Sequence, residues 1–236
     1  MQDRYENFTF FRQRIVSKQN TEVIQGEEYE LLLRSKRGET YVFPEKEFGE
    51  AMVDRLEHKQ YLKKIEYLLE RVLQKNSGIY SINIDPQELY YEETFLLFEH
   101  FKNKNQRLKI ELTEHSPYIK AGDYYNAFPL EPMIRLHELG FEIVLDDFLS
   151  GINGIDRLIA LSPFISRVKI SKLIFKKKVS DSAVCSFIYE IYKLIQEINP
   201  NLSLVIEAEE SEEMLKKLSD TWYYQTYYFD KPSKVN

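Results

Sequence analysis

Asp146 and Asp147 stand side by side at the end of a short apolar run, Phe141 to Leu145, that follows Gly140. Ionised neighbours repel, and burying them unpaired is costly. A divalent cation removes both problems at once. A lone pair of this kind reads as the start of a solvated loop, because aspartate is mostly exposed. The ends of the other apolar runs decide otherwise: they carry Glu30, Asn83, Glu111, Lys169, Glu207 and Gln225. Carboxylates and an amide oxygen are hard ligands suited to magnesium or manganese. No His/Cys cluster offers a zinc site; His58, His100, His115 and His137 are scattered and read as surface or satisfied core histidines. Several carboxylates with one amide and one lysine suit metal-assisted phosphodiester hydrolysis, in which two ions bind and activate a water. Lys169 is suited to orient that water or to screen charge. The opposing reading is a set of buried ion pairs inside a barrel.

Such residues need a scaffold that brings strand ends together. Phe8 to Val16 and Glu28 to Arg34 read as strands able to pair as a hairpin, with a turn near Asn20. A long helical region runs from Phe48 to Leu73 and stops at Asn76-Ser77-Gly78. Strands and helices then alternate. Strands are expected at Ile79 to Ile84, Leu108 to Leu112, Phe141 to Leu145, Ile165 to Ile170, Leu202 to Ile206 and Tyr223 to Phe229. Eight strands, helical after the second, predict an α/β fold: a modified TIM (β/α)8 barrel with one antiparallel strand, a single domain over 1–236. In such barrels the site lies at the C-terminal strand ends, where the polar residues above fall.

Hydrophobic residues make up 43% of the 236 residues and charged residues 30%, a composition that supports a core and not disorder. The net charge of −6 argues against a DNA or RNA polymer as partner, though not against a small phosphate held through metal ions. The single cysteine, Cys185, sits in an apolar helical pattern and is expected in the core. The N-terminal stretch has no basic and apolar regions of a signal peptide, and no apolar run approaches about 18 residues. The expectation is a cytoplasmic protein with no membrane partner, sensor or second catalytic domain.

The motifs resemble those of EAL domains, the cyclic di-GMP phosphodiesterase family. YELLLR at 29–34 resembles the Glu-Ala-Leu-Leu-Arg signature. SINIDPQEL at 81–89, IELTE at 110–114, DDF at 146–148, VKIS at 168–171, IEAEES at 206–211 and QTYYFDKP at 225–232 resemble the later motifs in order. FTFFRQRIV at 8–16 resembles the first strand, with Gln13 matching and Arg14 in place of proline. The resemblance implies that Glu30, Asn83, Glu111 and Asp146 ligate one Mg2+ or Mn2+ ion, and that Asp146 and Asp147 serve a second. It assigns Lys169, Glu207 and Asp147 to catalysis around the attacking water. It assigns Arg34, Gln225 and Gln13 to substrate, and Glu114 and Glu210 to holding neighbouring loops.

Departures from the family pattern concentrate near the second ion. Ser171 stands where the family has aspartate. The loop after Asp147 reads Phe148 to Gly154 with a sequence of its own; in the family it shapes the second metal site and supports a homodimer. Leu149 to Gly154 is expected to be mobile without ligand, because Ser150, Gly151, Asn153 and Gly154 favour turns and little there can pack. Leu31 replaces alanine, and Ala208 and Thr226 replace glycines. The implied activity is hydrolysis of cyclic di-GMP to linear pGpG, slowed by a weakened second site. The alternative is a catalytically inactive cyclic di-GMP receptor or interaction module acting through a regulatory protein partner.

Overall fold

The structure, a computed structural model, describes residues 4–17, 27–116, 130–175, 178–207 and 211–235. Glu210, Ala208 and the turn expected at Asn20 lie outside the described residues. Eight strands close a barrel in the order β1 (Phe8–Ser17), β2 (Glu28–Arg37), β4 (Ile79–Ile84), β5 (Leu108–Leu112), β6 (Ile143–Leu145), β7 (Arg167–Ser171), β8 (Ser203–Glu207) and β9 (Tyr223–Gln225). β1 runs antiparallel to both neighbours, β2 and β9, and the remaining pairs are parallel. Two short strands lie outside the ring: β3 (Thr40–Val42) on β2 and β10 (Ser233–Lys234) on β1.

The strands alternate with period two, and the alternation is inverted relative to a sheet that faces water. Tyr29, Leu31, Ile82, Ile84, Ile110, Leu112, Ile143, Leu145, Val168, Ile170, Leu204 and Ile206 belong to one apolar cluster shared with the helices. Each such side chain contributes about 2 kcal/mol on full burial. The intervening residues fill the ring: Glu28 and Glu30, Ser81 and Asn83, Lys109 and Glu111, Arg167 and Lys169, Ser203 and Glu207. They form two layers. In the lower layer Glu28 pairs with Arg167 and with Lys109 at 3.2 Å, and burial, which opposes its charge, is outweighed by the two cations. The upper layer lies at the C-terminal ends of the parallel strands.

The outer layer contains α1 (Glu45–Val53), α2 (Arg55–Lys75), α3 (Glu92–Phe101), α4 (Leu130–Glu138), α5 (Ile155–Leu161), α6 (Asp181–Ile198) and α7 (Glu212–Lys217). The helical region expected from Phe48 to Leu73 is two helices. Asp54 breaks it, with an extended backbone and a side chain accepting from Leu56 N at 2.8 Å and Glu57 N at 3.1 Å. That cap satisfies two otherwise orphaned donors. The chain after Gln225 turns instead of continuing the strand expected to Phe229. Cys185 is buried, as its pattern predicts. Among the described residues no helix is long and apolar enough to cross a membrane.

Candidate active site

The strand register brings the predicted residues together. Gln13 lies opposite Glu30, Asn83 opposite Glu111, Ser171 opposite Glu207 and Glu207 opposite Gln225. At their centre is Lys169, fully buried. Its ammonium lies 2.6 Å from Glu111 Oε2, 2.8 Å from Glu207 Oε1, 3.1 Å from Glu30 Oε2 and 3.1 Å from Asp146 Oδ1. Burial opposes the charged lysine, but Asp146, Glu111, Glu207 and Glu30 override it and hold the ammonium well above the usual range.

One lysine does not neutralise this ring. Burial, with Glu30 and Asp146 adding repulsion, pushes the Glu111 carboxyl up to about 8. Burial and the neighbouring carboxylates likewise raise Asp146 and Glu207, and they push Asp147 up to about 6. Glu30 goes the other way despite equal burial. Lys169 and hydrogen bonds from Gln225 and Asn83 hold its carboxyl below the usual range. Asn83 Nδ2 donates to Glu30 Oε1 at 2.6 Å, and Gln225 Nε2 donates to Glu30 Oε2. Gln13 accepts weakly from Gln225 at 3.4 Å and donates to the Asp230 carbonyl at 3.3 Å. Arg34 is half-buried, and its Nη1 donates to the Leu33 carbonyl at 2.8 Å.

Two cavities meet here. One of about 860 Å³ is bounded by Gln13, Arg34, Lys169, Ser171, Glu207 and Gln225. Another of about 310 Å³ runs from Asn83 and Glu114 toward the aromatic residues Phe10, Phe43, Phe48 and Tyr61. Glu30, Arg34, Asp146 and Asp147 line both.

The donor set fits a divalent cation. Asn83 Oδ1 and Asp147 Oδ1 are buried and accept no hydrogen bond, and Asp146 Oδ1 has only its ion pair with Lys169. Leaving such atoms unsatisfied costs about 1–3 kcal/mol each. Glu111 differs: Ser81 Oγ donates to Oε1, and Lys169 holds Oε2. The set of three acidic or histidine side chains that does converge within 4.8 Å among the described residues is Glu66, Glu70 and His100, at the α2–α3 surface. There His100 and Glu70 already pair at 3.0 Å.

The loop after Asp147 is tethered, contrary to the expectation that little in it packs. Asn153 is fully buried, and its Nδ2 donates to the Asp146 carbonyl and, at 3.3 Å, to that of Leu112. Ile152 N donates to the Glu114 carbonyl at 2.9 Å. Glu114 thus reaches the loop through its backbone. Gly151 has φ +48°, and a Cβ there would lie 2.1 Å from the Glu114 carbonyl oxygen. Asp147 and Leu149 also take positive φ, 41° and 72°, a strained choice for side-chain-bearing residues that the tethers hold in place.

Three groups escape the strand-end reading. Buried Asp85 accepts from Thr113 Oγ1 and from His115 Nδ1 at 3.0 Å, and His115 Nε2 lies 3.4 Å from Glu114. The hydrogen bond to Asp85 raises His115 to about 9, placing a further cation at the cavity wall. The sequence signal was the polar Asp85 and Thr113 immediately after β4 and β5.

The carboxylates, amides and lysine at the C-terminal end of a mixed barrel form one acidic pocket rich in oxygen donors. The chain belongs to the EAL domain family, whose model matches residues 6–232. It is 32% identical over 108 residues to the cyclic di-GMP phosphodiesterase RocR of Pseudomonas aeruginosa, covering 45% of this chain and 26% of RocR. The chain spans about a quarter of the length of the curated relatives it matches. Its fold is similar to that of an EAL domain protein from Listeria monocytogenes, with a TM-score of 0.70, 21% identity, and coverage of 98% of this chain and 90% of that one. It is also similar to Klebsiella pneumoniae BlrP1 in a manganese and cyclic di-GMP complex, with a TM-score of 0.68, 19% identity, and coverage of 97% and 57%.

Proposed function

We propose that this chain hydrolyses cyclic di-GMP to linear pGpG at the Lys169 ring, with Mg2+ or Mn2+ held by Glu30, Asn83, Glu111, Asp146 and Asp147. The observation that carries this reading is the pair of buried acceptors without partners, Asn83 Oδ1 and Asp147 Oδ1, beside carboxyls that lack enough positive charge. Divalent cations there would supply positive charge to a phosphodiester and make water a stronger nucleophile near neutral pH.

The chain's own groups do the rest. Arg34 offers a planar fork matched to phosphate oxygens at the wall of both cavities. Gln225 and Asn83 hold the Glu30 carboxylate in one orientation. Lys169 orients the attacking water and screens the ring. Asp147, raised to about 6, is tuned to take its proton near neutral pH, and Glu207, whose carboxyl burial raises well above the usual range, lines the same cavity. The larger cavity, about 860 Å³, suits a dinucleotide-sized ligand.

Ser171 favours a second reading, a receptor that binds the nucleotide without turning it over. Its hydroxyl is neutral, accepts from Leu173 N at 3.3 Å and stands opposite Glu207 where another carboxylate would strengthen a second ion site. Calorimetric titration of cyclic di-GMP in calcium, followed by chromatography after exchange into manganese, separates the two. Binding with linear product supports the enzyme; binding without product, in wild type and in Ser171→Asp, supports the receptor. No binding in either metal overturns both.

A further inference from the structure

A further concavity, about 520 Å³, opens on the outside of the barrel between α2 and the strands β1, β3 and β10. Four cations line it: Lys36 at the end of β2, Lys64 and Arg71 on α2, and Lys234 on β10. In a chain of net charge −6 this is a local reversal of sign. Lys36, Arg71 and Lys234 are exposed and Lys64 is half-buried, and among the described residues none of the four pairs with a carboxylate. Lys64 donates to the Glu6 carbonyl at 3.3 Å, Arg71 to the Tyr67 hydroxyl at 3.3 Å and Lys234 to the Tyr41 hydroxyl at 3.1 Å. Each of those contacts leaves donors over.

The two tyrosines complete a recognisable chemistry. Lys64 and Arg71 each lie 5.6 Å from the Tyr67 ring centre, and Lys234 lies 5.0 Å from that of Tyr41. Phe8, Leu68, Val72 and Val235 supply an apolar floor, and among the described residues Glu6 is the one carboxylate of the lining. Cations that neutralise phosphate, beside aromatic rings and apolar surface that accept a planar base, are the parts of a nucleotide site. The concave shape and mononucleotide-scale volume favour a small ligand over a flat membrane, and the overall negative charge disfavours a polymer. The groove shares Phe10 with the smaller active-site cavity and none of the carboxylate ring.

We propose that this groove is a second, non-catalytic binding site for a phosphate-bearing ligand of nucleotide size. The test is calorimetric titration of the full chain in EDTA with ADP, adenosine and inorganic phosphate in turn. The variants are Lys64→Ala/Arg71→Ala and Lys36→Ala/Lys234→Ala, with Arg34→Ala reporting on the active site and melting curves reporting on the fold. The expected result is saturable ADP binding, tighter than that of adenosine or phosphate alone. Each groove double variant should weaken it by about tenfold or more without changing the melting curve, and Arg34→Ala should leave it intact. Loss in Arg34→Ala with retention in the groove variants would place the nucleotide in the active site and overturn the proposal. So would an absence of ADP binding, or phosphate binding as tightly as ADP.

Discussion

Lys169 Nζ lies 2.6 Å from Glu111 Oε2, and neither side chain reaches solvent. The lysine is thus the standing cation of the ring, sharing the space between carboxylates with any metal that enters. Lys169→Met should leave four carboxylates without it. Removing one partner of a buried pair costs about 3–5 kcal/mol. Urea unfolding in EDTA should show a loss of that order, and millimolar Mn2+ should return part of it. An unchanged midpoint in EDTA would mean that the ring discharges itself by protonation.

Gly151→Ala tests the tether between the loop and Glu114. The added Cβ meets the Glu114 carbonyl and the backbone must hold φ +48°. A loss of about 1–2 kcal/mol is expected from the strain alone. Cyclic di-GMP turnover should fall with it, because Asp146 and Asp147 lead directly into that loop. A variant with wild-type stability and turnover would show that the loop has another seating.

His58 gives a pH signature away from the ring. It is fully buried, and its Nε2 pairs with Thr94 Oγ1 at 3.0 Å. Burial, opposed by Glu93, pushes its pKa down to about 4. The unfolded histidine titrates near 6.5, so between about 6.5 and 4 the unfolded chain binds the extra proton. Stability from this group is therefore full above the upper value and is lost as pH falls through that window, by about 3 kcal/mol at most. His58→Gln should remove that contribution. Unfolding curves for the two proteins should diverge between pH 4 and 6.5, and parallel curves would contradict the assignment.

The barrel was legible because the parallel strands are apolar segments with a polar residue at or near the C-terminal end, as at Asn83, Glu111, Asp146 and Glu207. Asn83, Glu111, Asp146 and Glu207 are adjacent in space only because parallel strands share register, and that register follows from the helical connections. The inverted alternation also stands in the sequence, in Lys109-Ile110-Glu111 and Arg167-Val168-Lys169, though its meaning needs a closed ring. Other features depend on distant partners. The break at Asp54 is hidden because apolar residues continue at helical spacing on both sides. Asn153 reads as a loop former until the Asp146 and Leu112 carbonyls appear beside it. His115 is exposed, as the surface reading has it, but its pairing with Asp85 was not legible because the two lie 30 residues apart. Leu96, apolar in sequence, is 54% exposed because its helix turns that position outward.

The claim that the Lys169 ring is a divalent-cation centre is tested most directly by equilibrium Mn2+ binding, followed through loss of the free-ion paramagnetic resonance signal. Asp146→Asn removes one carboxylate whose Oδ1 has no hydrogen-bond partner, while keeping its shape. Wild type should take up Mn2+ saturably, and Asp146→Asn should bind it at least about tenfold more weakly with its fold unchanged. Identical isotherms, or no uptake by wild type, would contradict the account and leave the ring a structural ion-pair network.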